Sequence, residues 1–256
     1  MKHLLAIALV LILLSTIGTK ANSLKIVGGD EVEPHSLPFM AVIKTEINDI
    51  SIVCGGSLVK ENVVLTAAKC VDGASEVEIT LGAHNIDEDE DSQVVLTSND
   101  FVIHEEYNAT TRHNDIALIN LPAGVPLSAS IALAPLPTAG DIFNSYDEQL
   151  GLVAGWGRDN DTTLVHSPVL RKMEVVIIPL LMCEISYFFG LSTSQMCTIG
   201  TLGKGICLGD NGGPLMVNGT QVGIASFGND FACSAGFPSV YTRLTSYLLW
   251  LSTHLS

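Results

Sequence analysis

An all-β domain of the sandwich or barrel type is the fold class this sequence predicts, on three observations. Short runs rich in Val, Ile and Thr recur between residues 40 and 121 and again between 149 and 243. Turn residues separate these runs at the spacing of successive strands. The composition of the 256 residues, 47% hydrophobic and 15% charged, fills a sizeable core and excludes a disordered chain.

At the N-terminus, Lys2 and His3 precede an uninterrupted apolar run from Leu4 to Leu14, followed by small residues around Thr19 and Ala21. This is the pattern of a secretory signal peptide over 1–21. A membrane anchor needs roughly 18 to 20 apolar residues, and this run is shorter. The expected location is therefore secreted and extracellular. Residues 22–25 form a short segment ending in Lys25, and Ile26-Val27-Gly28-Gly29 follow.

Formal charge is −15, and loss of the leader with Lys2, Lys20 and Lys25, which holds no acid, makes it −18. Such an acidic chain is a poor partner for nucleic acid or an anionic membrane surface, and it admits basic proteins or peptides. An acidic surface that simply keeps the chain soluble accounts for the charge as well. Six cysteines, Cys54, Cys70, Cys183, Cys197, Cys207 and Cys233, allow 15 disulfide pairings by number alone. No two stand at CxxC spacing, so a zinc site is not expected, and no other metal or cofactor is either.

In chain order, the first set of strands is expected at 41–44, 52–59, 63–67, 77–81, 94–96 and 116–121. A connector rich in Pro and Ala follows to 140, with Pro122, Pro126, Pro135 and Pro137. The second set is expected at 149–155, 171–179, 195–199, 214–217, 221–226 and 239–243. Apolar residues at Leu244, Tyr247, Leu248 and Leu251 then predict a C-terminal amphipathic helix over about 244–255.

The most informative stretch is Gly209-Asp210-Asn211-Gly212-Gly213-Pro214. Its glycines permit backbone conformations closed to other residues and close approach of a ligand carbonyl to main-chain N–H groups. With IVGG at 26, CGGSLV at 54, LTAAKC at 65, NDIALI at 114, AGWG at 154, SFG at 226 and PSVYTRL at 238, it resembles the trypsin- and chymotrypsin-like serine proteases over nearly the whole chain after residue 25. GAHNI at 82 and SAGFPSVYT at 234 look most like arthropod collagenase- and chymotrypsin-type members.

The resemblance implies two six-stranded antiparallel β-barrels with the cleft between them. The N-terminal barrel would span about 40–121, the connector about 122–140, the C-terminal barrel about 141–243, and the whole domain 26–256. It implies disulfides Cys54 to Cys70, Cys183 to Cys197 and Cys207 to Cys233. It also implies a zymogen, cut after Lys25 by an activating protease, whose new Ile26 ammonium pairs with Asp210.

In the resembling family a Ser, a His and an Asp form the triad. At those positions this chain has Asn211, Lys69 and Asp115. A carboxamide nitrogen has its lone pair delocalised into the carbonyl and does not become an acylating nucleophile. Lys69 beside Asp115 favours the ammonium form and an ion pair. These substitutions predict a catalytically inactive homologue that acts by binding a protein or peptide, as a cofactor or decoy in a proteolytic cascade; the alternative is an active chymotrypsin- or collagenase-like endopeptidase with atypical catalytic residues.

What the resemblance leaves for recognition is an oxyanion-hole backbone at Gly209 and Asn211, and a pocket of Gly205, Ser226, Gly228 and Ser239, none of them charged. A small neutral or apolar side chain suits that pocket. The run Asp87-Glu88-Asp89-Glu90-Asp91 is expected to be a solvated acidic loop rather than a calcium site, because Ala83 stands where calcium-binding relatives carry Glu. Asn108, Asn160 and Asn218 begin glycosylation sequons.

Overall fold

The structure is a computed structural model, and it describes residues 29–48, 50–158, 165–187, 190–200, 205–229 and 232–255. The leader, Lys25, Ile26 and Asn160 lie outside these residues. Two antiparallel sheets make up the domain, and each closes on itself.

The first contains β2 (Met40–Ile47), β3 (Ile50–Lys60), β4 (Val63–Thr66), β5 (Val77–Leu81), β6 (Val94–Ser98), β7 (Asp100–Ile103) and β8 (Ala117–Asn120). Their order is β6-β5-β2-β3-β4-β8-β7. Because β6 and β7 are one stretch interrupted only at Asn99, the seven segments are a six-stranded barrel. The second contains β1 (Asp30–Glu31), β9 (Leu150–Gly155), β10 (Arg171–Ile178), β11 (Gln195–Thr198), β12 (Pro214–Val217), β13 (Thr220–Phe227) and β14 (Ser239–Arg243). Pairing of β9 with both β10 and β12 closes the ring of β9–β14, and the two-residue β1 adds to β10 from outside.

Strand β10 shows why these sequences become sheet. Arg171, Met173, Val175 and Ile177 are buried, while the residues between them are at least partly open to solvent. A period of two suits only an extended strand with one face on a core. The first barrel's core includes Ile43, Leu58, Leu65, Ile79, Leu118 and Ile119; the second's includes Val153, Met196, Leu215, Val222 and Tyr241.

Two helical pieces matter to the site only indirectly. Residues Leu180–Glu184 form a short helix, α1, which the sequence reading left unassigned. At the C-terminus a 3-10 turn at Leu244–Tyr247 leads into helix α2 at Leu248–His254. Leu244, Tyr247 and Leu251 pack into the first barrel's core, so the end of the chain clasps the opposite barrel. Three disulfides join Cys54 to Cys70, Cys183 to Cys197 and Cys207 to Cys233. Each closes a short loop, for which about 2–4 kcal/mol is the usual stabilisation. Among the described residues no helix is long and apolar enough to cross a membrane.

The barrels are tied together where the site lies. Thr242 Oγ1 on β14 donates to the carbonyl of Asp115 at 2.7 Å, and Ser57 Oγ on β3 donates to Gln221 Oε1 on β13 at 2.6 Å. Gly55 N on β3 donates to the carbonyl of Asn211 at 2.7 Å.

Candidate active site

Asp115 precedes β8 and is fully buried at the seam of the two barrels. Its Oδ1 accepts the main-chain N–H of Lys69 at 2.9 Å, and its Oδ2 accepts the hydroxyl of Ser226 at 2.5 Å. Burial raises the pKa of this carboxyl. Both hydrogen bonds and the Lys69 charge pull it back down. Lys69 sits in a 3-10 turn at Ala68–Cys70, held by the Cys54–Cys70 bridge. Its ammonium donates to the main-chain carbonyl of Ser226 at 2.5 Å. Lys69 thus meets Asp115 through its backbone N–H and its charge, and reaches across to β13 with its side chain. The Ser226 hydroxyl is committed to Asp115 and fully buried.

Across the seam, the 209–213 loop is set by backbone. Gly209 has φ +103° and Gly212 φ +84°, the left-handed region that disfavours side chains. Gly212 N donates to Ala225 O at 2.7 Å and Gly213 N to Asp210 O at 3.0 Å, which locks the turn against β13. Among the described residues, no acceptor takes the N–H of Gly209 or Asn211. Two unclaimed donors on one loop are what an oxyanion requires. The Asn211 side chain is buried, and its Oδ1 has no hydrogen-bond partner.

Asp210 anchors this loop from beneath. Its Oδ1 accepts from Gly157 N at 2.8 Å and its Oδ2 from Cys207 N at 2.9 Å. Burial pushes its pKa up to about 6 against these two hydrogen bonds. A Cβ on Gly157 would fall 2.4 Å from Asp210 Oδ2, so the carboxylate fits only against glycine there.

The pocket residues do not form one set. Gly205 and Ser239 line a cavity of about 140 Å³ with Thr198, Ile199 and β10. Strand β10 brings Glu174 to it, a carboxylate that the sequence reading did not place there. A Cβ on Gly228 would stand 3.7 Å from both Ser239 Oγ and Ile206, so Gly228 belongs beside them, whereas Ser226 faces Asp115.

A second cavity, about 350 Å³, opens beside Asn211 and was not foreseen. It is lined by Lys69, Arg112, Arg158 and His166, by residues 50–54 of β3, and by Leu208 and Gly209. No motif marks Arg112, Arg158 or His166, which meet Lys69 only when the barrels close.

The acidic loop is not solvated throughout. Glu90 turns inward, and its carboxylate accepts from His84 N at 2.6 Å and Asn85 N at 3.1 Å, which lowers its pKa against the desolvation that raises it. Among the described residues no His, Cys, Asp and Glu gather as a metal site. Asn108 and Asn218 are exposed, the latter at the β12–β13 turn.

The trypsin family model matches residues 26–251. The chain belongs to the trypsin family. Brachyurin of Leptuca pugilator is 45% identical over 232 residues, covering 89% of this chain and 97% of that protein. Chymotrypsin of Phaedon cochleariae is 39% identical, covering 91% and 83%. The solved structure of HL collagenase superposes with a TM-score of 0.82 at 29% identity, covering 90% of this chain and 98% of that one.

These matches correct the expectation of a non-enzymatic chain. The relatives aligned along nearly the whole domain are enzymes by name, chymotrypsin and collagenase among them. Around Lys69 and Asn211 the buried acid, the glycine-set loop and the seam between barrels are all in place.

Proposed function

We propose that this trypsin-family chain is a secreted endopeptidase of the chymotrypsin or collagenase type that works with atypical residues at the triad positions Lys69, Asp115 and Asn211. The observation that carries this reading is the extent of the match: 45% identity to brachyurin over 232 residues, covering 89% of this chain and 97% of that protein. An extended polypeptide lies between the barrels and places a small neutral or apolar side chain toward Gly205, Gly228 and Ser239. The N–H groups of Gly209 and Asn211 receive the carbonyl oxygen.

The amide of Asn211 does not acylate, so hydrolysis adds water directly across the peptide bond, and the loop's contribution is to the developing oxyanion. Turnover is accordingly slow. Loss of nucleophile or base in a Ser-His-Asp site costs about 10⁶ in turnover, and the oxyanion hole and binding alone retain roughly 10³–10⁴ over water. Cleavage after Lys25 by an activating protease frees the Ile26 ammonium for Asp210, whose buried carboxyl has two N–H donors and is set to receive it. The three disulfides fit an oxidising, extracellular setting.

The test is prolonged incubation of the Lys25-cleaved protein with a reduced, carboxymethylated polypeptide, with the products sequenced by mass spectrometry. New C-termini at small neutral or apolar residues are expected. Absence of new termini, or termini at Lys and Arg, would overturn the reading.

A further inference from the structure

The cavity beside Asn211 has a charge opposite to that of its protein. Asp and Glu outnumber Lys and Arg by 27 to 12 along the chain, yet among the described residues Lys69, Arg112 and Arg158 line this cavity with His166, and no Asp or Glu does. Only nine Lys and Arg follow Lys25, and a third of them meet here.

The cations are not all spoken for. Lys69 is held on the Ser226 carbonyl, and Arg112 Nη1 donates to the Tyr107 hydroxyl at 2.6 Å. Arg158 Nε and His166 Nδ1, in contrast, are buried nitrogens with no hydrogen-bond partner. Residues 158 and 166 face each other across an antiparallel bridge, and the pKa of His166 is lowered by burial and by the Arg158 charge. A buried donor without an acceptor is costly, and a visiting anion removes that cost.

We infer that this cavity is a subsite for a carboxylate side chain, Asp or Glu, of the polypeptide held in the seam. Arg158 is its principal donor, and Lys69 and Arg112 supply the surrounding positive field. The cavity shares no lining residue with the one at Gly205 and Ser239, and Gly209 and Asn211 form its edge. In this reading a single extended segment presents a neutral residue to one and an acidic residue to the other. At about 350 Å³ it falls within the roughly 300–1,000 Å³ typical of ligand sites. This inference rests on the polypeptide reading above and adds a specificity to it.

The experiment uses fluorescein-labelled, C-terminally amidated peptides built around one Leu. Glu is placed in turn at each neighbouring position, and each peptide has a Gln counterpart. Binding to the purified protein is read by fluorescence anisotropy in low salt. At one position Glu should bind about tenfold more tightly than Gln. The preference should shrink as salt is added and fall below about twofold in Arg158→Gln. Arg112→Gln, which leaves Arg158 in place, should weaken the preference without abolishing it. Thermal melting of both variants checks that they fold. Peptides that bind with Glu and Gln equivalent at every position would overturn the subsite and leave the polypeptide reading standing. Peptides that do not bind at all would overturn both.

Discussion

The turn at 68–70 and the loop at 209–213 each carry one departure from the Ser-His-Asp pattern, but they hold it differently. Lys69 is held by its side chain, through an ammonium that crosses the seam to the Ser226 carbonyl. Asn211 is placed by its backbone, between glycines of positive φ and above the buried Asp210, while its side-chain Oδ1 bonds to nothing. The first position is therefore built around its side chain and the second around its main chain. The loop is a support on which different side chains can stand.

If the loop depends on what lies beneath it, the largest loss of stability should come from there. Gly157→Ala drives a Cβ into the Asp210 carboxylate. It should cost about 3 kcal/mol or more, in the range of severe overpacking, and lower the melting temperature sharply. An alanine tolerated within about 0.5 kcal/mol would mean that the carboxylate does not hold the loop.

The next effect is a pH dependence. Asp210 has its pKa raised from 3.8 to about 6, so between those values the folded state holds a proton that the unfolded state has released. Unfolding free energy then falls as pH rises through this window, by about 3 kcal/mol in total, and stays reduced above it. This applies to the chain before cleavage after Lys25. Asp210→Asn should remove the slope in urea melts taken across the window. Pairing with the Ile26 ammonium should suppress it in the cleaved form. A slope unchanged by Asp210→Asn would assign it to another group.

Smaller effects test the contrast between the two positions directly. Lys69→Met removes the bond to Ser226 and should cost about 1–3 kcal/mol, whereas Asn211→Ala removes an unpartnered Oδ1 and should change stability by less than about 1 kcal/mol. Equal costs in denaturant melts would erase the distinction.

Much of the fold could be read from the sequence, because Val- and Ile-rich runs such as Val77–Leu81 and Arg171–Ile178 carry their sheet character locally. The strand at Asp100–Ile103, the helix at Leu180–Glu184 and the 3-10 start of the C-terminal helix were not read, since none of them shows a clear periodic pattern. The site divides in the same way. Asp115, Asp210 and Asn211 stand in contiguous motifs and were visible at once. The approach of Glu174 to the Gly205 cavity and the basic cavity were not, because their residues come from segments far apart in sequence; the inward turn of Glu90 onto the N–H groups of His84 and Asn85 is local but follows no periodic pattern. For Lys69 the sequence predicts an ion pair with Asp115, whereas its ammonium here donates to the carbonyl of Ser226. The Ser226 carbonyl that holds its ammonium lies on the other barrel, 157 positions away.

On the function proposed above, the seam is a polypeptide-cutting site that departs from the Ser-His-Asp pattern at two side chains. The most direct measurement is the rate at which a Lys69→His, Asn211→Ser double variant, cleaved after Lys25, hydrolyses a peptide with a neutral residue before the scissile bond. A gain of at least about 10³ over the parent is expected, with little from either single change, because nucleophile and base act as a unit. A double variant that folds and cuts no faster than the parent would contradict it.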